Sequence, residues 1–123
     1  MNFQQDWLMR QIEMLVQVIA RVVFKKDYIK YEIVNEADLS QTDLLYNEIK
    51  QLIARGKVCE AEDLLFEMMD TKDMRYLELA IDFYQQLNLL GDSKLEQCNF
   101  SRDEVNDGLV AVLKMFGFHN LIP

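Results

Sequence analysis

Between Gln4 and Lys26 a polar stripe recurs at Asp6, Arg10, Glu13, Gln17, Arg21 and Lys25. At about 100° per residue, these positions fall within about 120° of a helix circumference. The rest of that circumference carries Phe3, Trp7, Leu8, Ile12, Met14, Leu15, Val16, Val18, Ile19, Val22, Val23 and Phe24. This predicts a long hydrophobic N-terminal helix over residues 1–26. Its apolar surface is wider than an ordinary surface helix needs. Such a helix is either central to a core or meets a second chain, and Trp7, Leu8, Leu15, Val18, Ile19 and Val22 are the candidate interface residues. Val18→Asp with Val22→Asp separates the two: loss of folding marks a core, a soluble monomer an interface. The helix is no membrane span, because its longest uninterrupted apolar run is three residues, where a span needs about 20. Its polar stripe is mixed in charge, unlike the Lys/Arg-rich face of a membrane-surface helix.

Residues 27–39 have no helical period. Tyr28, Ile29, Tyr31, Ile33 and Val34 suit an extended pass over a core, so this segment reads as a connector. Ser40, with Asp43 three residues on and Thr42 as an alternative cap, starts a second helix. Leu44, Leu45, Ile49, Leu52 and Ile53 form its apolar face, and Arg55-Gly56 ends it. A third helix begins near Lys57 and carries Val58, Ala61, Leu64, Leu65 and Met68. So short a connection forces an antiparallel hairpin over residues 40–70. A second helical pair follows over residues 71–117. The fourth helix runs from about Asp73 to Leu90, with Gly91 closing it and a loop from Gly91 to Phe100. Ser101-Arg102-Asp103-Glu104 is a capping box, with Phe100 and Val105 as a hydrophobic staple. The fifth helix then buries Val105, Leu109, Val112, Leu113 and Phe116 before Gly117 stops it. The expected fold is one all-α domain of about five helices in antiparallel hairpins.

Gly56 and Gly91 lie 35 residues apart, each ending an amphipathic helix. The stretch Leu45–Leu65, with Gly56, the small Ala61 and the large Leu65 as turn, small and large residues, resembles a tetratricopeptide repeat. Ile49 and Glu48 depart from that pattern, the terminal proline is absent, and the helix after Gly91 waits until Ser101. The resemblance implies a tetratricopeptide-like array whose second and fourth helices line a peptide groove. It would set Tyr46, Asn47 and Lys50 opposite Asp82, Gln85 and Asn88. Asn47 with Lys50 is similar to the Asn/Lys pairs that hold a peptide carboxylate in such arrays, and Asp82 opposes that use.

Asp6-Trp7-Leu8-Met9-Arg10-Gln11-Ile12, Ala54-Arg55-Gly56 with Glu60-Ala61-Glu62-Asp63, and Asn99-Phe100-Ser101-Arg102-Asp103-Glu104-Val105 with Gly108-Leu109 resemble a family of short, uncharacterised bacterial proteins. That resemblance covers nearly the whole chain and implies a helical fold and a bacterial, cytosolic setting. It brings no activity and no catalytic residue.

Composition narrows the picture. The 123 residues carry a net charge of -8, and half are hydrophobic. Residues 62–123 hold 5 basic and 12 acidic side chains, leaving no basic stripe for nucleic acid. The acid serves solubility, or meets a basic partner as a decoy of nucleic acid. Cys59 and Cys98 form no C-x-x-C pair and read as reduced thiols, without a neighbouring base for nucleophilic catalysis. Met1–Asp6 has no basic n-region of a signal peptide, so a cytoplasmic location is expected. The single histidine, His119, sits in the tail. Glu60, Asp63 and Glu67 share a helix face with Lys57 and read as a solvated stripe. Asp103–Gly108 fails as a calcium loop because Val105 and Lys114 occupy ligand positions. Met68, Met69 and Met74 cluster at one turn, as core filling or as an adaptable binding surface. No cofactor, metal or catalytic residue is expected. The reading is a non-catalytic module that binds another protein or itself as a homodimer. Its alternative is a small-ligand or enzymatic domain with an internal pocket.

Overall fold

The computed structural model describes residues 3–123, and the side chains of residues 6–123. Phe3, assigned above to the apolar side of the first helix, is outside the described side chains. The elements are α1 (Phe3–Val22), α2 (Gln41–Ala54), α3 (Val58–Met68), α4 (Met74–Asn88), α5 (Asp92–Gln97), α6 (Arg102–Met115) and a 3-10 turn (His119–Leu121). Among the described residues there is no strand, and no helix is long and apolar enough to cross a membrane.

Both capping boxes are present. Ser40 Oγ accepts from Asp43 N–H at 3.1 Å while the Asp43 carboxylate accepts from Ser40 N–H at 3.0 Å. Ser101 and Glu104 do the same at 3.1 and 3.2 Å. Gly56, at φ 76°, reverses the chain between α2 and α3. There the Lys57 N–H reaches back to Leu52 O at 2.8 Å, and the two helices pack as a hairpin. Gly91 behaves differently. It is extended, at φ -65° and ψ 159°, and it opens α5 instead of closing α4. The 35-residue glycine spacing therefore joins two unlike turns. α5 occupies what the sequence presents as a loop. With Leu95 as its buried residue, so short a helix offers no period to read.

α4 is the central element. Residues Tyr76–Tyr84, Leu87 and Asn88 are all buried, with α1, α2 and α6 packed around them. α1 consequently contributes one face to the core, through Leu8, Ile12, Leu15, Val16, Ile19 and Ala20. It ends at Val22, four residues before the expected end, because Lys25 takes a left-handed φ of 57° and Lys26 N–H folds back to Ala20 O at 2.9 Å. The connector crosses the core with Ile29 and Tyr31 buried and Tyr28 and Val34 exposed.

Candidate functional site

Three arcs divide the surface of α1. The core arc faces α4 and α6. A polar arc carries Asp6, Arg10, Glu13, Gln17 and Arg21. Between them, on the outward side, Trp7, Met14, Val18 and Val22 are 65, 67, 40 and 49% exposed. Their spacing follows the helical period, so they form one stripe about 22 Å long. The tail extends this apolar surface. A shallow groove of about 570 Å³ lies between Trp7, Met14, Leu15 and Val18 on α1 and Leu121, Ile122 and Pro123, with Arg10, Gln11 and Asn120 as its polar members. Single exposed apolar residues are ordinary, whereas several on one side of a helix make a candidate contact surface. Of the candidate interface residues, Trp7, Val18 and Val22 lie on this stripe. Leu8, Leu15 and Ile19 are core residues, turned inward by the packing of α1 on α4 and α6.

The groove between α2 and α4 is smaller, about 370 Å³. Tyr46, Lys50 and Asp82 meet there over a floor of Ile49, Leu79 and Phe83, with Gln86 at the edge. Asn47, half-buried, does not line it. Gln85 and Asn88 point elsewhere, because helical geometry rotates them about 60° and 120° from Asp82. Gln85 donates to Ile29 O at 2.9 Å, and Asn88 donates to Met9 O at 3.0 Å. The polar groups that do meet are engaged within the chain. Asp82 accepts from Tyr31 N–H at 3.1 Å and from Gln86 at 3.4 Å. Burial raises its pKa, and Glu78 adds to the rise, against these two bonds and Lys30. The Lys50 ammonium stands 5.3 Å from the Tyr46 ring centre.

A polar cluster that the sequence does not announce holds the connector down. Tyr31 O–H donates to Asp43 at 2.6 Å, and its ring stacks on Tyr46 at 4.7 Å. Arg75 lies 4.1 Å over the Tyr31 ring and pairs with Asp43 at 3.2 Å and Glu78 at 3.1 Å. It also donates to Glu32 O at 2.9 Å. Lys26 pairs with the other Glu78 oxygen at 3.1 Å. These partners come from α2, α4 and the connector, so no local motif could reveal them. The Tyr31 hydroxyl, then the Ser40 N–H, hold the Asp43 carboxyl below its ordinary pKa.

These groups titrate with opposite consequences. Asp82 and Glu62 have raised pKa values, each chiefly from burial. Their ionisation costs stability as pH rises through the folded pKa, so acidification relieves that cost. Asp43 stabilises above its unfolded pKa, and that contribution is lost as pH falls through the lowered folded value. Stability should therefore rise from pH 7 towards the ordinary carboxylate range, about pH 4, and fall below it. Tyr31→Phe should remove about 1.5–3 kcal/mol and move acid unfolding to higher pH. Urea titrations across pH check both, and a stability that falls steadily from pH 7 contradicts the first.

Elsewhere, Cys59 is exposed. Burial of its sulfur and then the acids Glu104, Glu62 and Asp63 raise its pKa, opposing thiolate formation. Tyr84 O–H donates to Glu62 at 2.6 Å. His119 is exposed in the 3-10 turn, and Met68 and Met74 are exposed while Met69 is partly buried. Among the described residues, no group of three or more His, Cys, Asp or Glu side chains is placed to hold a metal ion.

No curated protein and no solved structure matches the chain. Residues 2–117 match a family of unknown function, DUF6483. That match spans nearly the whole of the chain, which therefore belongs to the DUF6483 family.

Proposed function

We propose that this protein is a non-catalytic interaction module that works in the cytoplasm by burying the outward face of α1 against another protein. The observation that carries this reading is the stripe of Trp7, Met14, Val18 and Val22, left uncovered on a helix whose opposite face is in the core. A tryptophan flanked by aliphatic residues and arginines has the composition of an interface centre. The groove between α2 and α4 is the weaker candidate for a ligand or peptide, because the Asp82 carboxylate already serves the connector.

A photo-crosslinking residue placed at Met14 or Val18 in living cells tests the reading. We expect covalent adducts to a protein from both positions and none from Glu48, which is exposed on α2. No adduct above that control contradicts it. Val18→Asp with Val22→Asp should leave the chain folded, since exposed sites shift the stability of the single chain by about 0.5 kcal/mol. The same change should abolish the Met14 adduct.

A further inference from the structure

Resting on the interaction reading above, we infer that the body covering the α1 face is a second copy of this chain, packed antiparallel about a two-fold axis at Met14. The stripe itself is not symmetric about that residue, so across such an axis its members meet polar side chains as well as one another. Trp7 lies seven positions before Met14, while Arg21 and Val22 lie seven and eight after it; Gln11 lies three before, and Val18 four after. Seven residues are two helical turns, so these positions return to the same side of the helix. A two-fold axis at Met14 sets Trp7 of each copy on Val22 and Arg21 of the other. The indole meets an aliphatic side chain and a guanidinium at both ends of the contact. Val18 meets Gln11 and the aliphatic part of Arg10 nearer the axis.

Charge selects the direction. Asp6 is in the first turn of α1 and Arg21 in the last. Antiparallel packing brings Asp6 of each copy to Arg21 of the other. Parallel packing sets Asp6 on Asp6 and Arg21 on Arg21, with Arg10 on Arg10 between them. The antiparallel arrangement also opposes the helix dipoles. Charge further selects the face. α1 holds two acids, Asp6 and Glu13, and two bases, Arg10 and Arg21, on a chain of net charge -8. Two copies therefore meet through a helix whose own charges balance. The two-fold contact uses one patch twice and closes at a dimer. The tail residues Leu121 and Ile122, beside Met14 and Val18, widen it.

Sedimentation and disulfide trapping test this in the purified full chain. Cys59→Ser serves as the background, since Cys59 is exposed and Cys98 buried. Wild type should sediment as a dimer that dissociates on dilution. Met14→Cys should form a disulfide-linked dimer under mild oxidation. Trp7→Cys alone should not, but should crosslink when mixed with Val22→Cys. Asp6→Arg and Arg21→Asp should each weaken the dimer several-fold, and their combination should restore it. A monomer at every concentration overturns the inference, as does efficient Trp7→Cys self-crosslinking, which signals parallel packing. Adducts to a different protein in cells, with a monomeric purified chain, would overturn the second copy and leave the interaction reading standing. Absence of both adducts and dimer would remove the two together.

Discussion

Gly108→Ala is expected to destabilise the protein by about 3 kcal/mol, the upper part of the range for overpacking a core. Helix propensity alone predicts the reverse, a gain of about 1 kcal/mol for alanine in a helix interior. The structure decides between them. A Cβ at Gly108 would overlap the hydroxyl and ring carbons of Tyr84. Tyr84 cannot swing away, because it is fully buried in α4 and its hydroxyl is held by Glu62 at 2.6 Å. Gly108 is thus the place where the α6 backbone comes down on the central helix. The melting temperature should fall by about 10 °C. Tyr84→Phe should not rescue Gly108→Ala, because ring carbons overlap as well as the hydroxyl. Tyr84→Leu should recover part of the loss. A more stable Gly108→Ala protein would contradict this packing of α4 on α6.

Arg102→Met should cost about as much, roughly 3 kcal/mol, by a different route. The guanidinium is buried, with 2% of its side chain exposed. It donates to Asn88 O at 2.6 Å and to Leu90 O at 2.9 Å. The Asn88 carbonyl ends α4 and the Leu90 carbonyl lies in the turn just after it, where no further α4 N–H follows to bond them. Methionine would fill the space but leave the carbonyls without this donor. Arg102 also pairs with Asp92 at 2.7 Å, but Asp92 is 55% exposed, and such ion pairs contribute at most about 1 kcal/mol. Asp92→Ala should therefore be mild where Arg102→Met is severe. Denaturant melts of the two variants check this, and equal losses would show that the ion pair, not the cap, carries the energy.

Helix positions were legible where local chemistry sets them. The Ser40 and Ser101 capping boxes and the Gly56 turn act within a few residues, and each is where the sequence places it. α5 was not legible, because one buried leucine makes no pattern. Arg102 reads as an ordinary first-turn residue of α6; its role comes from carbonyls 14 and 12 residues away. The cluster of Tyr31, Asp43, Arg75 and Glu78 is likewise a product of tertiary packing. In α1, period alone could not separate Leu8, Leu15 and Ile19 from Trp7, Val18 and Val22, because both arcs are apolar. The packing of α4 and α6 against one of them makes the other an outward face. In the groove, helical rotation brings Gln86 beside Asp82 and carries Gln85 and Asn88 away from it, a distinction that composition does not carry.

Trp7 is the chain's single tryptophan and stands in the α1 stripe, so its emission reports directly on whether that face is covered. The decisive measurement is its emission maximum across a dilution series of the purified protein, beside Met14→Glu with Val18→Glu. A covered face predicts a blue-shifted maximum at high concentration that moves red on dilution, with the variant red throughout and still folded. A wild-type maximum that stays at the position of a solvated indole at every concentration would contradict the antiparallel α1 dimer.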